Sequence, residues 1–281
     1  MSAGGWLHLT TGLRTAARAL NLYIAIPLTK SMRLLLAKVL RKGAAMLAPN
    51  GTQIDITDDY VKWLCFANAG MLDRGNLYLI DYALSRLPGT APLLEIGSFC
   101  GLSTNLLTHY KRKHGLRNPL FTCDKWEFEI GDADREYVAG SNVSFAEYSS
   151  FVRSSFIRNA QTFSRDDLPF TIQGFSAEFF SMWRAGKSVR DVFERPVELG
   201  GPLSFCYVDG NHSYEGAKED FENCDAFLQT GGFILFDDST LKAFGVHALM
   251  PEVLGTGRYK LIARNPNHLF QKVKSATSSS V

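Results

Sequence analysis

The first 54 residues contain no aspartate and no glutamate. They do contain seven basic residues, Arg14, Arg18, Lys30, Arg33, Lys38, Arg41 and Lys42, set among leucines. A near-neutral total of 30 basic and 28 acidic residues therefore conceals a basic leader and an acidic remainder. An acidic body argues against nucleic acid as a partner. Long apolar runs are also missing. A membrane-spanning helix needs roughly 18 to 20 apolar residues, and the longest candidate, residues 19–28, is short and contains Pro27. Closely spaced cysteine pairs are absent. Cys65, Cys100, Cys123, Cys206 and Cys224 stand singly, which excludes a zinc ribbon and a disulfide framework and fits a reducing, cytoplasmic compartment.

Residues 1–50 read as a basic, Leu-rich helical extension. Met32, Leu35, Leu36, Val39 and Leu40 recur at helical spacing, and Pro27 breaks the region into two pieces within residues 6–47. Such a segment fits contact with a second copy of the chain or with its own acidic body. It also fits peripheral binding at an anionic membrane surface, or a transit peptide. Residues 51–274 form the main domain, and the Ser-rich 275–281 reads as a disordered tail.

In that domain Asp58 and Asp59 open a helix through Ala67. A helix over about 76–87 precedes the strand "APLLEIG", and another, 102–114, leads to "PLFTCD". "PFTIQG" comes after a polar and aromatic insertion, residues 126–168. A helix at 176–185, the strand "LSFCYVDG", a helix at 214–229 and the strand "GFILFDD" follow. "RYKLIAR" and "HLFQKV" close as a hairpin. Alternating strands and helices, with apolar strands, predict an α/β fold: a doubly wound, mostly parallel seven-stranded sheet covered on both faces.

The strand ends carry the chemistry. In open parallel sheets ligands bind beyond the carboxyl ends of the strands. There stand Glu95 and Gly97, Asp124, Ser176, Asp209, and the pair Asp237 and Asp238. A dinucleotide loop needs G-x-G-x-x-G, and this one has Phe99 at its second glycine position, which argues against a pyrophosphate. A cofactor without phosphates is compatible, with Asp124 placed to accept from ribose hydroxyls. Hard carboxylates at Asp209, Asp237 and Asp238 suit Mg2+; acids capping solvated turns are the plainer alternative.

"EIGSFCGLST" resembles motif I of class I S-adenosylmethionine-dependent methyltransferases. Its wording is similar to the catechol O-methyltransferase-like branch and to relatives that methylate antibiotic sugars. The resemblance runs from about Ala67 to Phe270. It implies a Rossmann-like methyltransferase fold and S-adenosylmethionine as cofactor. Gly97, Gly101 and Ser103, behind Glu95, would line the methionine part. Asp124 would hold the ribose, where near relatives commonly carry Glu, and Ser176 would lie near the adenine. "FANAGML" would fold over the cofactor. Asp209, Asp237 and Asp238 would bind the metal. The catechol enzymes have Asn where this chain has Asp238, and the sugar-methylating relatives have two acids. That departure points to a small, polyhydroxylated or sugar-containing acceptor.

His212 is the candidate base, with an unperturbed pKa near 6.5. The catechol branch has a lysine at this position, and in the sugar branch the base falls where this chain has Asn211. Orienting Asp209 or capping the next helix is the alternative role for His212. His109, His114, His247 and His268 have no acidic partner nearby in sequence. The aromatic insertion, with Trp126, Phe128, Tyr137, Tyr148 and Phe151, reads as a lid, an acceptor pocket or a helical subdomain. The expected activity is Mg2+-dependent O-methylation. The rivals are a related N-methylating or hydroxylase-like enzyme, and an inactive cofactor- or membrane-binding module.

Overall fold

A computed structural model describes residues 58–127 and 136–275. The helical pieces expected within residues 6–47, and all but the first residue of the tail, lie outside the described residues. Helix α1 is Asp59–Ala67, opened by Asp58, whose Oδ1 accepts from the backbone N–H of Tyr60 and Val61 at 3.0 and 3.2 Å. Helix α2, Arg74–Leu84, begins two residues before its predicted start because Asp73 caps it through the N–H of Gly75.

The strands and helices then alternate. In chain order they are β1 (Leu93–Ile96), α3 (Leu102–Lys113), β2 (Leu120–Asp124), α4 (Phe145–Phe163), β3 (Phe170–Gln173) and α5 (Ser176–Arg184). Next come β4 (Ser188–Arg190), β5 (Pro196–Glu198), β6 (Leu203–Val208), α6 (Tyr214–Phe227), β7 (Leu228–Phe236), α7 (Val246–Gly255), β8 (Tyr259–Arg264) and β9 (His268–Lys272). Seven strands form one sheet in the order β3-β2-β1-β6-β7-β9-β8. The first five run parallel, and β9 pairs antiparallel with both β7 and β8. This is the predicted Rossmann-like methyltransferase architecture.

Side chains on a strand point alternately to opposite faces, and each face of this sheet has its own apolar layer. Leu94, Ile96, Cys206, Val208, Ile234 and Phe236 pack on α5, α6 and α7. Leu93, Leu120, Phe205, Tyr207, Phe233 and Leu235 pack on α1, α2 and α3. A third, smaller cluster joins Val152, Phe156 and Ala160 of α4 to Cys100 and Trp126. Helix α4 is the described core of the insertion, opened by a reciprocal Ser144–Glu147 capping box.

Two features escape the sequence pattern. The hairpin β4–β5 has three residues per strand, too few to show a period. Helix α7 contains Pro251, which argues against a helix interior, yet Val246, Leu249, Met250 and Val253 bury its inner face. No described helix is long and apolar enough to cross a membrane.

The β8–β9 hairpin is tied to α6 through Asp225. Its carboxylate receives Tyr259 Oη at 2.7 Å, Arg258 at 2.5 Å and Lys272 Nζ at 2.9 Å. Burial alone would raise the Asp225 pKa. Hydrogen bonds from Lys272, Tyr259 and Arg258 outweigh burial and hold it below the usual carboxylate value. Removing one partner of a buried pair strands the other, here Lys272 at 4% exposure. Asp225→Ala is therefore expected to cost about 3 kcal/mol. Because the folded pKa is depressed, this stabilisation is full above the unfolded value, about 3.9. It is lost as pH falls through the folded one. Thermal unfolding of wild type and variant as a function of pH checks both: the gap is constant near neutrality and closes in acid.

Candidate active site

The carboxyl ends of β1 and β6 touch. Gly97 has φ +82°, and a Cβ there would stand 1.9 Å from the backbone oxygen of Asp209. Only glycine meets both demands. Gly101, φ +87°, starts α3 without a side-chain cap. Between them Phe99 adopts φ +44°, a left-handed conformation that costs a non-glycine residue roughly 1 kcal/mol or more.

Asp124 holds that loop. Its Oδ2 accepts from the N–H of Ser98 and Phe99, each at 2.8 Å, and its Oδ1 from the N–H of Trp126 at 2.6 Å. Trp126 Nε1 donates to Phe99 O at 2.9 Å. Burial pushes the Asp124 carboxyl up, and these backbone hydrogen bonds pull it back. The acid expected at the ribose thus also shapes the loop, through both of its oxygens.

Glu95 is fully buried on β1. Thr104 Oγ1 donates to its Oε2, while its Oε1 has no protein partner. Burial raises its pKa to about 7, opposed by Ser103 and Thr104 and reinforced by Asp124. Ser98 Oγ is a second buried, unpartnered polar atom in the same loop. Two orphaned polar atoms beside a glycine cradle fit the amino and carboxylate groups of a methionine-type cofactor.

The segment after α1 lies against this loop. A Cβ on Gly70 would meet Leu102 Cβ at 2.5 Å. Buried Asn68 donates to Cys100 O at 3.0 Å and accepts from Asn105 Nδ2 at 2.7 Å. Helix α4 contributes Asn159, which also donates to Cys100 O, at 2.8 Å. Ser164, just past its end, donates to Asn105 Oδ1 at 2.6 Å. Ser176 opens α5 beside Asp220, a buried acid of α6 raised to about 7 by burial and pulled back by the Ser176 hydroxyl. Asp220 was invisible to sequence reading, because an acid within a helix ordinarily signals a solvated face.

At the ends of β6 and β7 four groups gather. His212 Nε2 is 3.6 Å from Asp209 Oδ1 and 3.4 Å from Asp238 Oδ2, ion-pair distances. Its ring stacks on Phe244 with centroids 4.8 Å apart, and its backbone oxygen accepts from Gly245 N–H at 2.9 Å. The neighbouring Asp209 raises the His212 pKa; burial opposes, and the charges of Asp238 and Asp237 add to the rise. Burial lifts the Asp209 carboxyl well above its ordinary value, His212 pulls it down and Asp237 pushes it further up. Asp237 is part of the cluster but faces inward, toward Asn76, Asn267 and Tyr207.

Carboxylates crowded in this way favour a nearby positive charge. Among the described residues no three His, Cys, Asp or Glu side chains form a ready-made metal cage. Asp209 and Asp238 supply two carboxylates, which suits an ion such as Mg2+ that keeps several waters. His109 and His114, without acids nearby in sequence, pair in space with Asp58 at 2.9 Å and Asp81 at 2.8 Å.

A sheet of this order with a glycine loop after its first strand is the Rossmann-like fold of class I S-adenosylmethionine-dependent methyltransferases. The methyltransferase domain family matches residues 94–239, from β1 to just past β7, and the chain belongs to that family. No curated protein matches the chain. Among solved structures it is similar to the O-methyltransferase NovP, at 19% identity and a TM-score of 0.50, over 74% of this chain and 84% of that one. That similarity shows the fold. Weaker likenesses include the calicheamicin methyltransferase CalS11, at 14% identity and a TM-score of 0.48, over 92% and 91% of the two chains. Another is the O-methyltransferase TomG from Streptomyces achromogenes, at 14% and 0.45, over 79% and 93%.

Gly97→Ala is expected to weaken binding of S-adenosylhomocysteine at least tenfold, about 1.4 kcal/mol or more. The added methyl must displace the end of β6 or the loop. Calorimetric titration of wild type and variant checks this; an unchanged affinity would mean that the loop does not form the cofactor site.

Proposed function

We propose that the enzyme methylates a hydroxyl oxygen of a small polyhydroxylated or glycosyl acceptor, with a divalent cation of the Mg2+ type at the acidic strand ends. The observation that carries this reading is the imidazole of His212 between Asp209 and Asp238, on the sheet edge shared with the glycine loop. Oxygen as the target is supported by the resemblance to O-methyltransferases and by the likeness to NovP. The glycosyl preference rests on Asp238, where the catechol enzymes carry Asn.

S-adenosylmethionine supplies an electrophilic methyl group on a sulfonium. Gly97, Gly101, Ser103 and Glu95 would hold its methionine end, and Ser176 would stand on the adenine side. When bound by Asp209 and Asp238, a cation would stabilise the negative charge that develops on an acceptor oxygen. The remaining work belongs to the chain. The hydroxyl proton passes to His212 Nε2 as the oxygen attacks. Asp209 and Asp238 then stabilise the imidazolium, and Phe244 fixes the plane of the ring. General-base assistance of this kind is worth about 10² to 10⁴-fold.

His212→Ala is expected to lower turnover about 10²-fold or more while leaving S-adenosylhomocysteine affinity within about threefold. Activity is followed as transfer of labelled methyl to a panel of glycosides, catechols and amines. Labelling of amines alone would replace oxygen as the target. Chelation with EDTA is expected to abolish transfer, and Mg2+ to restore it. Full activity in excess chelator would remove the cation from this reading and leave His212 to act alone.

A further inference from the structure

Asp237 and Asp238 are adjacent in sequence, and the resemblance casts both as metal ligands. The structure separates them. Asp237 is 3% exposed. Its Oδ1 accepts from Asn76 Nδ2 at 2.6 Å and from Asn267 Nδ2, and its Oδ2 accepts from Tyr207 Oη at 2.9 Å. The donors also bind one another. Asn267 donates to Asn76 Oδ1 at 3.1 Å, and Asn76 to the Tyr207 hydroxyl at 3.3 Å. Ser239 Oγ donates to Asn267 Oδ1 at 3.4 Å. The backbone closes the same junction: a Cβ on Gly75 would lie 1.9 Å from Asn265 O. Helix α2, strands β6 and β7, and the β8–β9 turn therefore meet on one carboxylate.

All three side chains gripping Asp237 are neutral. They match its shape and hydrogen-bonding capacity and add no counter-charge. A carboxylate held by so many donors has little freedom to reorient toward a ligand. Asp238 differs in each respect. Its side chain is 33% exposed, its backbone turns into the left-handed region at φ +50°, and its Oδ2 faces His212 at 3.4 Å. That turn starts one residue after the gripped carboxylate.

We propose that Asp237 is a positioning residue. Held by Asn76, Asn267 and Tyr207, it fixes the angle at which β7 delivers Asp238 to His212, and it neither binds the cation nor takes a proton. The assignment rests on the reading of Asp238 and His212 as the working pair. It also predicts that the shape of residue 237 matters more than its charge, which reaches His212 and Asp238 only through space. An asparagine there would keep an oxygen for Asn76 and Asn267 and turn its amide toward the Tyr207 hydroxyl.

The test uses the imidazole NMR signals of the full chain, recorded at about pH 9, where histidine is neutral. The His212 signal is identified by its loss in His212→Ala. Asp238→Asn and Asp237→Ala are expected to displace it by more than a linewidth, and Asp237→Asn is expected to displace it much less than either. Asn267→Ala, which removes one donor and keeps the acid, should displace it in the direction of Asp237→Ala, and it carries the decision if that variant does not fold. The proposal is overturned if Asp237→Asn moves the signal as far as Asp238→Asn, because the charge of Asp237 would then act on His212 directly. It is equally overturned if neither Asp237→Ala nor Asn267→Ala moves it. Added Mn2+ should broaden the signal in wild type and in Asp237→Asn and should fail to do so in Asp238→Asn. Loss of broadening in Asp237→Asn would make Asp237 a ligand. Absence of broadening in wild type would sink the cation reading alone, with the unliganded spectra still deciding the role of Asp237.

Discussion

The backbone oxygen of Asp209 lies where a side chain on residue 97 would have to begin. That contact between the ends of β1 and β6 brings the cofactor loop and the acidic cluster onto one edge. A parallel pair in register, Ile96 beside Val208, ends both strands together, and the next residues must part. Gly97 turns one way into the cofactor loop, and Asp209 turns the other way toward His212. Any side chain at 97 would drive the two halves of the site apart.

Around this junction the chain uses buried amides as fasteners. Asn68 joins the segment after α1 to the glycine loop, and Asn76, eight residues later, joins α2 to the end of β7. The stretch between them is thus pinned at one end to the cofactor half and at the other to the acidic half. Asn105 repeats the device between Asn68 and Ser164. Buried polar groups are costly when unpaired and specify a unique arrangement when satisfied. These amides are paired, whereas Glu95 Oε1 and Ser98 Oγ, which face the loop, lack protein partners.

The electrostatics follow from the same crowding. Asp209 and Asp238 lie on either side of one imidazole, and burial works against each charge. Their proximity raises the basicity of His212 and leaves the acids in need of positive charge. A proton on His212 or a cation would supply it, and the proposed O-methylation would call on both. Asp237 adds its charge to the cluster, while neutral donors hold its carboxylate.

Much of this was legible in the residues themselves. The five parallel strands appear as apolar runs that stop at a polar residue or glycine, because their middles are buried on both faces and their ends are not. Asp58 announces α1 because a capping side chain acts on its own neighbours. Gly97, Gly101, Asp209, Asp238 and His212 could be singled out as candidates because they stand at or just beyond a strand end. The partners of Asp237 could not. Asn76 and Asn267 stand 191 positions apart, and nothing in the spacing of either marks a partner. Asp124, read in sequence only for a ribose, also binds three backbone amides, two of them from a loop 25 and 26 residues earlier. Sequence by itself determined which residues end the strands, since burial and hydrogen bonding along a strand are periodic. Only the tertiary structure decided which of those ends were committed to one another, because a hydrogen bond across the fold depends on positions in space and leaves no period in the chain.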